Sequence, residues 1–467
     1  MSTVLLDQFN AQRAHAPVLA RAQLSYRLKQ LEKLRVALKG EHGARLVEAL
    51  HKDFGKSATE AHLTELLPTL DTIKLIKKHL KEWAAPKRVR TPLPLIGSTS
   101  YTQAEPKGTA LIISPWNYPI FLSLHPMCHA IAAGNTVMVK PSELTPHTSA
   151  ALQDLVAALY TPEEVLVATG GIEVGQALLD LPFNHIFFTG STRVGKVVMA
   201  AASKHLSSVT LELGGKSPTI VDKGGNGYRA GARIAWAKWT NSGQICIAPD
   251  HIYVHESEVE SFSRGVLETL EKLYGSQPTQ HQDYVQMVNE GHFKRLKGLI
   301  EQARSESGQI ISDGLIDEGS RKIGPFIVLN PPKDGALMKE ELFGPALPVF
   351  TFGDLDEPLQ EIASRPHPLV VYIYSKSRSR IKKIQRETRA GATAVNISLL
   401  QIANSYLPFG GVGESGMGKT NGHAGFLEFS NARSSFYQWG TPATQWLSPP
   451  YTKGKLAAVK QLIRRLY

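Results

Sequence analysis

From residue 109 to residue 213 the sequence keeps one rhythm: a short apolar run rich in branched side chains, a turn, then a stretch long enough for a helix. The runs are Thr109-Ala-Leu-Ile-Ile113, Thr136-Val-Met-Val139, Val165-Leu-Val167, His185-Ile-Phe-Phe188 and Ser208-Val-Thr-Leu-Glu-Leu213. Strands this apolar must be covered on both faces, and crossover helices are what cover a parallel sheet. The chain is therefore predicted to be α/β, with a mostly parallel sheet as its first framework.

Other stretches fill in around that sheet. A chain of 467 residues exceeds what one hydrophobic core usually organises, so two domains plus accessory segments are expected. Residues 1–85 set Leu28, Leu31, Leu34, Val36 and Leu38 amid Lys and Arg at helical spacing and read as helices packed on the next part of the chain. Residues 86–103, with Thr91-Pro-Leu-Pro94, read as an extended connector. After Glu212 comes a second α/β unit, with a strand-like His251-Ile-Tyr-Val254 and a helix over residues 259–273.

Composition narrows the classes. Two cysteines cannot build a disulfide framework, and the opening residues lack a basic segment leading into an apolar core, so a cytoplasmic protein is expected. Residues 108–139 and 390–413 hold no Asp, Glu, Lys or Arg. Pro115, Pro119 and Pro126 break the first, and Asn396, Asn404 and a Gly-Gly pair break the second, so both read as cavity lining rather than membrane spans. The net charge of +11 comes from 52 basic and 41 acidic residues spread widely. Without zinc spacing or an aromatic RNA-binding motif beside it, that charge points to neither a metal nor nucleic acid.

The chemistry concentrates in a few turns. Cys246 lies between a Gly-Gln and a Pro-Asp turn with an isoleucine on each side. Such a thiol is ordinarily a small buried hydrophobe, but once ionised it attacks carbonyl carbon and leaves well from an acyl intermediate. Glu212, in Leu211-Glu-Leu-Gly-Gly-Lys-Ser-Pro218, ends an apolar run ahead of two glycines. Asn117, in Ser114-Pro-Trp-Asn-Tyr-Pro119, either bonds its own turn or donates to a developing oxyanion. Phe188-Thr-Gly-Ser-Thr-Arg-Val-Gly-Lys196 runs from a strand into a helix start, where free amides attract phosphate.

Together these segments resemble the aldehyde dehydrogenase superfamily, in which a Glu-Leu-Gly-Gly motif precedes a Gly-Gln-x-Cys motif at this separation. Arg233-Ile-Ala-Trp-Ala-Lys-Trp-Thr-Asn-Ser-Gly-Gln-Ile-Cys246 and Leu407-Pro-Phe-Gly-Gly-Val-Gly-Glu-Ser-Gly-Met-Gly418 look most like its class 3 branch of fatty, benzaldehyde-type and coniferyl-type enzymes. The resemblance implies NAD, with NADP possible, as cofactor. It also implies oxidation of apolar aliphatic or aromatic aldehydes to acids, with Cys246 as nucleophile, Asn117 as oxyanion donor and Glu212 as the base that activates water. Lys140 and Glu143 would reach the adenosine ribose, Glu341 the nicotinamide ribose, and Phe343 would pack near the ring. Ser114, Trp116, Ser142, Gly190, Ser191, Gly195, Leu213 and Gly214 complete the implied cofactor set.

The implied division is a Rossmann-like cofactor-binding domain (1–85 and 104–211), a catalytic domain (212–421), bridging segments (86–103 and 422–445) that suggest a homodimer, and a basic tail (446–467). Tyr118, Trp236, Trp239, Ile245 and Ile247 suggest an apolar, partly aromatic approach to the thiol. The sequence departs from the class 3 pattern at Ile397, Gln401 and Glu414, which bears on substrate choice. Leu456, Val459, Ile463 and Leu466 among Lys455, Lys460, Arg464 and Arg465 form a short basic amphipathic helix, either docked or in weak contact with a membrane surface, and too short to span one. Three other readings stand beside this one: a catalytically inactive dehydrogenase-fold binding protein, a coenzyme A-acylating relative, and a thiol hydrolase.

Overall fold

The computed structural model describes residues 3–92, 95, 97–440 and 448–466; Leu93 and Pro94 of the predicted connector, and residues 441–447 of the predicted bridging and tail segments, lie outside them. Its first sheet has six strands in the spatial order Gly416–Met417, Ser208–Leu213, His185–Gly190, Thr109–Ile113, Thr136–Lys140 and Val165–Val167. The five strands expected from the apolar runs pair in parallel, and Gly416–Met417 adds antiparallel from far down the chain. Ala110, Leu111, Ile112, Val137, Met138 and Ile186 are fully buried, which leaves no room for polar alternation and explains why these runs are continuous.

The chain lays two strands on one side of Thr109–Ile113 and then returns to lay two on the other, so the order reverses between Thr109–Ile113 and His185–Gly190. A crevice at such a reversal, outside the carboxyl ends of the strands, is where dinucleotides bind. One face of this sheet is covered by the N-terminal helices Leu24–Lys39, Glu41–Phe54 and Leu67–Ala84, whose Leu31, Leu34, Leu50, Phe54, Ile73 and Ile76 share a core with Ala110 and Ile112. Between Glu41–Phe54 and Leu67–Ala84 the backbone makes a short helix, Ala58–Ala61, and a π-helical turn, His62–Leu66.

The second sheet has seven strands in the order Gln309–Ser312, Phe326–Leu329, Ala346–Phe352, His251–His255, Pro218–Val221, Val370–Tyr374 and Ala392–Val395, parallel except at Gln309–Ser312. Lys216, Asp250 and Glu341 stand just ahead of three of these strands. The amino ends of the second sheet therefore meet the carboxyl end of Ser208–Leu213. The predicted connector is itself partly strand: Ser98–Pro106 pairs with Lys87–Val89 on one side and Ser430–Gln438 on the other in a separate antiparallel sheet, in which Ser430–Gln438 keeps one free edge among the described residues. Lys453–Leu466 is a helix, as its spacing predicts.

Candidate active site

Cys246 comes after a loop that is locked from inside. Beyond the helix Gly227–Trp239, three successive residues take the left-handed conformation: Asn241 (φ 50°), Ser242 (φ 50°) and Gly243 (φ 75°). A Cβ on Gly243 would lie 2.4 Å from the Gly344 carbonyl oxygen, so only glycine fits there. The Gln244 amide nitrogen donates to the carbonyls of Asn241 and Gln286, each at 3.1 Å, and its oxygen accepts from the Val288 N–H at 3.1 Å. Cys246 itself is half-buried against a core that includes Trp239, Ile245 and Ile247, beside Tyr118, Ile397 and Ile402.

Asn117 reaches this loop directly. Its side-chain amide donates to the Gln244 carbonyl at 3.0 Å, which uses one of its two hydrogens and leaves the other to donate elsewhere. Its backbone carbonyl accepts from Asn241 Nδ2 at 3.2 Å and from Lys56 Nζ at 3.1 Å. Neither Lys56 nor its partner Glu65 carries any local sequence signal, since they lie in the helical N-terminal section and act across the fold.

Glu212 is held differently. It is buried at the carboxyl end of its strand, and neither carboxylate oxygen has a hydrogen-bond partner among the described residues. The cavity exists because residue 410 is glycine (φ 150°): a Cβ there would lie 2.9 Å from Oε1. Burial pushes the Glu212 carboxyl well above the ordinary carboxylate range, and Lys419, whose ammonium is occupied by the carbonyls of Gly410 (2.6 Å) and Gly411 (3.2 Å), offsets this only in part.

The three groups share one environment. Burial, then the charges of Glu341 and Glu212, push the Cys246 thiol up to about 12. Glu341, pushed up to about 8 by burial and then by Asp250, rests against Gly214, where a Cβ would lie 2.1 Å from its oxygen. Its segment is pinned on three sides. Lys216 bonds Asp250 and donates to the carbonyls of Leu337 (2.8 Å) and Glu340 (2.9 Å), Asp250 accepts from the Leu342 N–H at 2.9 Å, and Arg295 donates to the Leu342 carbonyl at 2.6 Å. Phe343 (φ 47°) stands edge-on to Trp116 with ring centres 5.3 Å apart.

Most of the residues expected to hold a dinucleotide stand at or just after the carboxyl ends of strands in the first sheet. The Ser114 N–H donates to the Lys140 carbonyl at 3.1 Å, its hydroxyl bonds Ser123, and Lys140 pairs with Glu143 at 2.6 Å. The Ser142 hydroxyl accepts from the Leu144 N–H at 3.2 Å. Gly190 ends its strand, Ser191 caps the helix Thr192–Ser203, and a Cβ on Gly195 would lie 2.7 Å from Leu213, so glycine lets that helix close on the sheet. These small residues, capped amides and cradled carboxylate fit a dinucleotide.

The expected substrate residues divide. Trp239, Ile245 and Ile247 belong to the apolar core against which Tyr118 and Cys246 pack; Trp236 does not. It lies on the same side of its helix as Arg229 and Arg233 and is exposed. Tyr372 joins instead: its hydroxyl donates to the Ile247 carbonyl at 2.7 Å and accepts from Gln401 Nε2 at 3.0 Å and the Leu399 N–H at 3.3 Å. Of the departures from the class 3 pattern, Gln401 thus braces the pocket wall, Ile397 packs against it, and Glu414 pairs with Lys196 at 2.9 Å on the helix that Ser191 caps.

Comparison with known proteins agrees with this arrangement. The family model described as the aldehyde dehydrogenase family matches residues 7–435. A 4,4'-diaponeurosporen-aldehyde dehydrogenase of Staphylococcus aureus is 42% identical over 441 residues, covering 94% of this chain and 95% of that protein. Aldehyde dehydrogenase family 3 member H1 of Arabidopsis thaliana is 39% identical over 441 residues, covering 94% and 90%. A solved structure of the substrate-bound state of Staphylococcus aureus AldH superposes with a TM-score of 0.94 at 41% identity, covering 99% of this chain and 100% of that one.

Proposed function

This chain belongs to the aldehyde dehydrogenase family, whose members use NAD(P) to oxidise aldehydes, and from that premise we propose how its own residues divide the work. Cys246 is the nucleophile: its sulfur adds to the aldehyde carbon once its proton has been lost to solvent, which leaves Glu212 free for the later step. The oxyanion that forms accepts hydrogen bonds from the free hydrogen of the Asn117 amide and from the Cys246 N–H. Glu341, Phe343, Gly214 and the residues at the strand ends would hold a nicotinamide, which would supply the acceptor for the hydride; Cys246 keeps the acyl group as a thioester. Glu212 then takes a proton from water, whose oxygen attacks the thioester and frees the acid.

The observation that carries this reading is convergence. Asn117 bonds the residue two positions before Cys246, and the charge of Glu212 acts on its sulfur. A water-activating carboxylate in this place favours hydrolysis over transfer to coenzyme A, and the presence of all three groups favours an active enzyme over a binding protein. Following NADH tests it. Cys246→Ser should lower turnover by roughly 10⁴-fold or more, while Glu212→Gln should keep a first burst of NADH and lose steady turnover by about 10²–10⁴-fold. An unchanged steady rate in either variant sinks the reading.

The pocket of Tyr118, Trp239, Ile245, Ile247 and Ile397 suits an apolar aldehyde, aliphatic or aromatic. A higher kcat/KM for hexanal and benzaldehyde than for succinic semialdehyde is expected. The free edge of Ser430–Gln438, with Phe436, Tyr437 and Trp439 exposed, supports a homodimer, to be checked by sedimentation. No helix among the described residues is long and apolar enough to cross a membrane. Exposed Leu456, Val459, Leu462 and Ile463 on the basic helix support contact with an anionic membrane surface, which removal of residues 453–467 should abolish in vesicle partition.

A further inference from the structure

Lys56 and Glu65 form an ion pair at 2.9 Å with no solvent exposure on either side chain, deep beneath a helical section to which the mechanism assigns nothing. Burying two opposite charges costs desolvation that their attraction repays only with good geometry and further hydrogen bonds, so such a pair is a poor device for stability alone. Its remaining bonds all go to one short segment. Lys56 Nζ donates to the Asn117 carbonyl at 3.1 Å and sits 4.0 Å from the centre of the Tyr118 ring. The second oxygen of Glu65 accepts from the N–H groups of Ile120 (2.8 Å) and Phe121 (3.2 Å). Those are among the first amides of the helix Pro119–Ala133, whose N-cap residue Tyr118 makes no side-chain cap.

Glu65 thus supplies from outside the cap that the helix lacks, and Lys56 grips the peptide just before it. The pair itself comes from the loop after Glu41–Phe54 and from the π-helical turn His62–Leu66, a type of irregularity that often marks functional sites. Asn117 is held on its other side by Asn241 and Gln244. We infer that Lys56 and Glu65 are positioning residues that aim the Asn117 amide at the oxyanion, an assignment that rests on the role given to Asn117 above. They touch neither substrate nor cofactor. The pair fixes the backbone that carries the donor, so its loss should be felt as a misaimed hydrogen bond.

A double-mutant cycle on the full-length protein tests this. Lys56→Met should lower kcat about 10–100-fold while changing the KM for NAD by less than about twofold, because only an interaction made in the transition state is weakened. In the Asn117→Ala background the same substitution should cost less than about twofold, since nothing is left to aim. Glu65→Gln, which keeps an oxygen facing the Ile120 and Phe121 amides but removes the charge, should show the same coupling with a smaller loss. It serves in place of Lys56→Met should that variant fail to fold in thermal unfolding.

Equal losses with and without Asn117, an unchanged kcat, or a loss confined to the KM for NAD would overturn the inference. So would an Asn117→Ala enzyme as fast as the parent. Cys246→Ser separates the two levels: full turnover in that variant rejects the mechanism beneath, whereas an inactive Cys246→Ser beside uncoupled Lys56 and Asn117 rejects only the positioning role.

Discussion

Asn117 and Glu212 serve the same sulfur, yet the fold treats them in opposite ways. The Asn117 peptide and side chain are tied to Gln244, Asn241 and Lys56, while both oxygens of the Glu212 carboxylate are buried without a partner. The difference reflects their tasks. A hydrogen-bond donor works best when its direction is fixed before charge develops, so bonds that restrain it do not compete with its job. A base works best when raised toward the working pH and free to take a proton, so every bond to its anion would weaken it.

Breaking the restrained side should have the largest effect on the burst. Asn117→Ala should slow the burst of NADH itself by about 10²–10³-fold, whereas Glu212→Gln spares the burst; rapid-quench or stopped-flow traces distinguish the two. On the unrestrained side the sharper measurement is stability against pH. A carboxyl raised by burial stays protonated in the folded state while its unfolded counterpart ionises, so the folded protein loses stability as pH rises from the ordinary carboxylate value toward the raised one. Glu212→Gln lacks that loss, and its advantage in unfolding free energy should grow by roughly 1.4 kcal/mol per pH unit across that window. A Tm difference that stays flat as pH rises above the ordinary carboxylate value would contradict the reading of Glu212 as a strained base.

Smaller effects bracket these. Tyr372→Phe leaves the Leu399 N–H and the Gln401 amide without an acceptor and the Ile247 carbonyl without its donor, and should cost about 1–3 kcal/mol in denaturant unfolding. Lys196→Ala breaks a pair with Glu414 in which both side chains are more than half exposed. It should cost at most about 1 kcal/mol and shrink further in salt.

The sequence made the sheet around Thr109–Ile113 legible, because strands covered on both faces leave continuous apolar runs. It also announced Cys246, Glu212 and Asn117 through motifs that are local in the chain. What it hid is what acts over long separations. Nothing near Lys56 marks its grip on Asn117, 61 residues on, and nothing near residue 416 marks a strand that pairs with residues 211 and 212. Trp236 shows the converse. It is near Cys246 in sequence and apolar, yet the turn of its helix leaves it exposed and outside the core against which the sulfur packs.

That late strand has a consequence for how the enzyme comes to life. Gly416–Met417 completes the sheet beside Glu212, and Gly410 lies against its carboxylate, so the enclosure of the base is finished by residues far later in the chain than the base itself. A nascent chain stopped before residue 410 already carries the reactive sulfur and the nucleotide-binding strands, yet not the enclosure that raises the base. Hydrolytic competence therefore waits on residues that follow the base by about two hundred positions in the chain.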